Sequence, residues 1–146
     1  MSKIIALASD HGGFELKNLL AEKLKKDGYD VLDLGTHTSD SVDYPDIAAL
    51  MADAIKTGKA ERGFLLCGTG IGISIAANRF NFIRAALIHD AFGARLCRQH
   101  NDANVMVLGG RTTGAEVAFE CADIFLNTEF LGDRHARRVE KLSHMC

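Results

Sequence analysis

The chain has 146 residues, enough for one domain, residues 1–146, with a real hydrophobic core. It is 47% hydrophobic and 25% charged with a single proline, the balance of an ordinary soluble globular protein. A formal net charge of −2 and the lack of any basic run argue against nucleic acid as a partner. The N-terminus enters a strand pattern, "KIIALAS", with no signal-peptide layout, and no apolar run approaches membrane-spanning length. Cys67, Cys97, Cys121 and Cys146 show no disulfide-framework spacing, which points to free thiols in a reducing cytoplasm.

From there the chain alternates strand and helix patterns. "KIIALAS" is a continuous apolar run, and "FELKNLLAEKLKKDG" follows with Leu16, Leu20 and Leu24 at helical spacing and Gly28 as its stop. "YDVLDLG" reads as a second strand. "DYPDIAALMADAIKTG" has Pro45 near its first helical position and carries Ile47, Met51 and Ile55 on one face. "GFLLC", "FIRAALI" and "NVMVLGG" supply three more strands, each followed by a helix pattern. The pattern predicts a single-domain, Rossmann-like three-layer α/β/α fold with a five-stranded parallel sheet. "GDRHARRVEKLSHMC" adds a charged helix beyond the last sheet unit, of the kind that packs on a partner subunit.

In such sheets ligands bind outside the carboxyl ends of the strands. The first strand delivers Ser9-Asp10-His11-Gly12-Gly13 there, the third Cys67-Gly68-Thr69-Gly70-Ile71-Gly72, and the fifth Gly109-Gly110-Arg111. The helix after the fourth strand ends in "CRQHND", and His100, Asn101 and Asp102 are expected to join the same group. A tight strand-to-helix turn would explain the glycines of "GTGIG" without any function. The loop has neither a P-loop lysine nor a dinucleotide fingerprint, yet amides at a helix N-terminus hold an anion or oxyanion well. The positive end of that helix also favours the thiolate of a cysteine just ahead of it. Cys97 and Cys121 fall on helix patterns and read as packing. Cys97 and His100 lack third and fourth ligands at suitable spacing, so no metal site is expected. Arg134 and Arg138 lie one helical turn apart, either a solvated face or a fork for a phosphate.

A thiol, an oxyanion cradle, a histidine with a carboxylate and spare arginines together fit proton transfer on a phosphorylated sugar. Aldose–ketose isomerisation needs a base serving two adjacent carbons, donors for the developing oxyanion and an acid to open the ring.

The stretches "SDHGG", "DYP", "CGTGIGISIAAN", "RQHNDANVMVLGGR" and "GDRHARRVE" resemble the type B ribose-5-phosphate isomerases of the ribose/galactose isomerase family, in order and over essentially the whole chain. The resemblance implies interconversion of ribose 5-phosphate and ribulose 5-phosphate in the pentose phosphate pathway, without a cofactor. It also implies a homodimer or dimer of dimers with sites at the subunit interface, so that Cys67 and His100 of one site come from different chains. By position, Cys67 matches the base that moves the proton, and Thr69 with the amides of Gly68, Gly70, Ile71 and Gly72 matches the enediolate cradle. His100 matches the ring-opening residue, with Asp10 as its helper, Asn101 on a sugar hydroxyl and Tyr44 lining the sugar pocket. His11, Arg111, Arg134 and Arg138 match phosphate positions. One branch of the family uses a glutamate in the glycine loop as base; Ile71, Gly72 and Ile73 offer none, which places this chain in the cysteine branch. An allose- or galactose-6-phosphate isomerase is the nearest alternative, and a sugar-phosphate sensor without chemistry the more distant one. The galactose enzyme resembles an assembly of two unlike chains, whereas Cys67, His100 and both terminal arginines stand together here.

Overall fold

The computed structural model describes residues 3–145; Cys146 lies outside them. Five strands, β1 (Ile4–Ser9), β2 (Asp30–Asp33), β3 (Arg62–Cys67), β4 (Ala85–Leu87) and β5 (Val105–Gly109), form one parallel sheet in the order β2-β1-β3-β5-β4. Between and after them run α1 (Phe14–Lys26), α2 (Tyr44–Lys56), α3 (Ile71–Ala77), α4 (Ala91–Gln99), α5 (Ala115–Asn127) and α6 (Arg134–Leu142).

Strand alternation divides the core into two layers. Ile5, Leu7, Phe64, Leu66, Met106 and Leu108 face α1, α4 and α5. Ala6, Ala8, Leu65, Cys67, Val105 and Val107 face α2 and α3. The expected three-layer α/β/α fold is therefore present. Successive connections leave β1 in one direction and return to β3 on its other side, so the crevice between these two strands is the switch point of the sheet. The glycine loop opens there.

The helix faces follow the spacing of apolar residues. Leu16, Leu20 and Leu24 are buried along α1, and Gly28 ends it with φ 93°. Pro45 sits in the first turn of α2, where its missing N–H costs no intrahelical bond.

Lys17 is 0% exposed, and its ammonium donates to both carboxylate oxygens of Asp33 at 2.7 and 2.9 Å. Burial pushes the Asp33 carboxyl up, but the Lys17 hydrogen bonds, the Gly35 N–H and the charges of Lys17 and His37 more than offset it, leaving it below the usual carboxylate range. A depressed carboxylate stabilises the fold above its unfolded value, and that contribution is lost as pH falls through the folded one. Asp33→Asn leaves a buried ammonium without its counter-charge and is expected to cost about 2 kcal/mol, at the low end because Asp33 keeps contact with water. Urea midpoints at neutral pH and at pH below the carboxylate range check this: the gap between wild type and variant narrows on acidification. A gap independent of pH would remove Lys17–Asp33 as its source.

Candidate active site

At the carboxyl edge, β3 stops at Cys67, paired in register with Gly109 of β5. The thiol is 5% exposed, and the Gly70 N–H donates to Sγ at 3.1 Å. Gly70 has φ 80°, and a Cβ there would lie 2.6 Å from Leu87 Cδ1, so this turn requires glycine. The loop thereby folds back to place one of its amides on the sulfur, a charge-assisted bond whenever the sulfur is a thiolate. The Thr69 hydroxyl accepts from the Ile71 N–H at 3.2 Å. The amides of Gly70 and Ile71, both expected in an oxyanion cradle, are thus engaged with Cys67 and Thr69 in this structure.

β1 ends beside this loop. The buried Asp10 accepts from the Gly12 N–H at 2.8 Å, closing a single 3-10 turn over His11–Gly13. A Cβ on Gly12 would lie 2.8 Å from the Gly68 amide nitrogen, so the ends of β1 and β3 touch through glycine backbone. His11 Nδ1 accepts from the Val42 N–H at 3.2 Å, which puts the imidazole proton on Nε2. Tyr44 opens α2, and its ring packs where a Cβ on Gly72 would come within 2.7 Å. Arg111 donates its amide to the Gly68 carbonyl at 2.9 Å, and its guanidinium lies over Gly68. A cavity of about 490 Å³ lies alongside, lined in part by Asp10, His11 and Tyr44.

His100, Asn101, Arg134 and Arg138 are elsewhere. A helix that follows a strand of a parallel sheet runs back along it, so the end of α4 lies at the amino edge. There Asn104, four residues past His100, accepts at its carbonyl from the Gly63 N–H at the start of β3. Gly63 lies four residues before Cys67, about 13 Å of strand. The expectation that "CRQHND" joins the carboxyl-edge group within one protomer is corrected by this geometry. Leu131 donates its amide to the Gln99 carbonyl at 3.1 Å, and His135 of α6 stacks on His100 with centroids 4.2 Å apart and planes 11° from parallel. Arg134 and Arg138, both exposed, therefore share the amino edge with His100.

His135 escaped the reading of the sequence. It is the buried residue of α6, a helix that also carries Arg134, Arg137, Arg138, Glu140 and Lys141, and no spacing along the chain sets it apart from them. Burial first, then the charges of His100, Arg134 and Arg138, push its imidazole below the ordinary histidine value. Cys97 and Cys121 are buried core residues, as their helix positions suggest. Burial pushes the Cys97 thiol up to about 11 and raises Cys121 too, which keeps both in the unreactive thiol form. Among the described residues no group of three or more His, Cys, Asp or Glu side chains could hold a metal ion, and no helix is long and apolar enough to cross a membrane.

One surface joins the two edges. A cavity of about 390 Å³ beside Tyr44, Gly72 and Ile75 reaches Arg79 and Phe80. The same two residues line a second cavity, about 540 Å³, which extends to Asn101 and Leu142. Between the edges α3 shows Ile71 and Ile75 more than half exposed.

The whole of this framework has known counterparts. The family pattern for Ribose/Galactose Isomerase matches residues 5–142. Ribose-5-phosphate isomerase B of Escherichia coli is 44% identical, over 97% of this chain and 95% of its own. The D-erythrulose-4-phosphate isomerase of Pectobacterium atrosepticum is 43% identical, over 96% of this chain and 93% of its own. The crystal structure of a ribose 5-phosphate isomerase from Thermotoga maritima superposes with a TM-score of 0.96 at 51% identity, covering 97% of this chain and 98% of that one. With the pattern spanning nearly every residue and the fold matched from end to end, this chain belongs to the ribose/galactose isomerase family.

Proposed function

We propose that the chain interconverts ribose 5-phosphate and ribulose 5-phosphate as a symmetric homodimer, the step that links the two pentose phosphates of the pentose phosphate pathway. The observation that carries the chemistry is the thiol of Cys67, set at the switch point of the sheet with the Gly70 amide on its sulfur. Such an arrangement holds a basic sulfur in a fixed place beside backbone donors.

In the aldose direction the furanose opens first. The C1–O4 bond breaks, O4 takes a proton from His100 of the partner subunit, and Asp10 accepts the proton of O1. The Cys67 thiolate then removes the proton on C2 and returns it to C1, while the O2 proton is transferred to O1. Between these transfers the enediolate carries negative charge on its oxygens, beside the Thr69 hydroxyl and the glycine loop. Asn101 of the partner subunit holds a sugar hydroxyl and Tyr44 flanks the sugar. His11 and Arg111 from one chain, with the partner's Arg134 and Arg138, hold the phosphate, a remote handle whose binding energy orients the reacting end.

The homodimer is supported by geometry. In one protomer the base and the ring-opening histidine stand at opposite ends of the sheet, and an exposed apolar strip on α3 joins those ends. A two-fold axis across that strip sets the carboxyl edge of each chain against the amino edge of the other, completing two sites per dimer. A catalytic free thiol suits a reducing cytoplasm.

Initial rates on ribose 5-phosphate, ribulose 5-phosphate, allose 6-phosphate and erythrulose 4-phosphate test the reading. The pentose pair is expected to give the highest kcat/KM. A larger value on either of the other two would reassign the substrate. Rates are expected to survive EDTA without added metal, because the ring-opening protons and the carbon-bound proton each have a side chain to move them. Loss on chelation with recovery on adding a divalent ion would replace this mechanism by a metal-assisted one.

A further inference from the structure

α4 closes with an aspartate in a place that usually takes glycine. Asp102 has φ 48°, and its N–H donates to the Arg98 carbonyl four residues back at 3.3 Å, the pattern of a helix ended by a left-handed residue. Glycine is common there because it has no Cβ to strain. Asp102 has one, and both of its carboxylate oxygens accept a hydrogen bond. Oδ1 accepts from Arg98 Nη1 at 2.8 Å and Oδ2 from Arg84 Nη2 at 3.4 Å, while Arg84 Nε donates to the Asp102 carbonyl at 2.8 Å.

Each arginine is anchored elsewhere. Arg98, buried, also donates to the carbonyls of Ala103 at 2.7 Å and Thr128 at 3.2 Å. Arg84 stands at the entrance to β4, where its amide donates to Asn104 Oδ1 at 2.8 Å. The turn carrying His100 and Asn101 is thus tied through one carboxylate to α4, to β4 and, through Thr128, to the segment leading into α6. Both residues lie in the two positions directly before Asp102. Among the described residues, the His100 side chain makes no hydrogen bond and its ring contact is the stack on His135.

We infer that Asp102 is a positioning residue for ring opening: its bridge between Arg98 and Arg84 holds the His100–Asn101 turn in the geometry that delivers a proton to the sugar ring oxygen. The inference rests on the role given above to His100, and the substrates separate the two. Ribose 5-phosphate must be opened before isomerisation. Ribulose 5-phosphate cannot close a furanose, because its O5 carries the phosphate, and so enters the proton-transfer step already open. Both carry the same phosphate, so a disturbed phosphate site affects both.

The test compares Asp102→Gly, Asp102→Asn and His100→Ala with wild type in both directions, with thermal melts alongside. Asp102→Gly relieves the left-handed strain and removes the bridge; Asp102→Asn tolerates the same backbone and keeps one acceptor oxygen. Asp102→Gly is expected to lower kcat on ribose 5-phosphate by about 10- to 100-fold, the cost of a misplaced catalytic group. Its kcat on ribulose 5-phosphate should change less than about threefold, well below that range. Asp102→Asn should fall between wild type and Asp102→Gly on ribose 5-phosphate only. Equal losses in both directions, or none, with His100→Ala still selective for the ribose direction, would overturn the positioning role alone. If His100→Ala itself shows no difference between directions, the ring-opening role fails and the inference with it.

Discussion

Cys67→Ala is expected to lower kcat by about a thousandfold or more with either ribose 5-phosphate or ribulose 5-phosphate, because the transfer between C1 and C2 is common to both directions. The thiolate moves a carbon-bound proton, whereas Asp10, with one oxygen on the Gly12 amide, takes the O1 proton in ring opening, and His11, with Nδ1 on the Val42 N–H, serves the phosphate. Cys67→Ser should be nearly as poor, since a hydroxyl is far less acidic than a thiol and stays protonated where the thiol ionises. Substrate binding should persist in both variants, because the phosphate is held by other residues. Folding should persist as well. Removing one sulfur from the α2–α3 face of the core costs about 1 kcal/mol, comparable to a methylene. Initial rates, calorimetric binding of ribose 5-phosphate and a thermal melt measure the three effects separately. Turnover above a tenth of wild type in Cys67→Ala, with the fold intact, would move the base to another residue.

The order of elements was legible because parallel strands buried on both faces read as continuous apolar runs and their helices carry a clear stripe. What the runs could not reveal was where pairing stops. "FIRAALI" reads as seven strand residues, but only Ala85–Leu87 pair as β4. Side-chain amides take up the backbone before them: Asn104 bonds the Phe82 carbonyl and the Arg84 N–H, and Asn78 bonds both backbone groups of Ala85. No local pattern announces an asparagine that substitutes for a strand from about twenty residues away. Lys17 likewise looks like part of the exposed face of α1 until Asp33 is seen beside it.

The candidate site was legible residue by residue and misleading as a map. The thiol, the glycine loop and the Asp10 turn lie at strand ends, where a parallel sheet always presents its ligands. His100 follows a helix instead, and the direction of that helix carries it to the other edge. The stack on His135 and the two arginines bridged by Asp102 depend on packing between α4, β4 and α6, which spacing along the chain does not encode.

That separation gives the second large expected effect. Cys67→Ala and His100→Ala proteins, each inactive on ribose 5-phosphate, should regain activity when denatured together in equal amounts and refolded. Ribose 5-phosphate is the substrate to use, because the ribulose direction does not need His100. Random pairing makes half of the dimers mixed. In each mixed dimer one site carries both substitutions and the other carries neither, so about a quarter of wild-type activity returns, by counting over a two-fold symmetric pair. The quarter is a consequence of geometry: a carboxyl edge holding Cys67 can meet an amino edge holding His100 only on another chain, since within one chain about 13 Å of β3 and the turn beyond it lie between them. Mixed dimers are identified by a size tag on one variant. If they form and activity does not return, both residues act within a single subunit, and the protomer must rearrange to bring the α4 turn across the sheet before it can open a sugar ring.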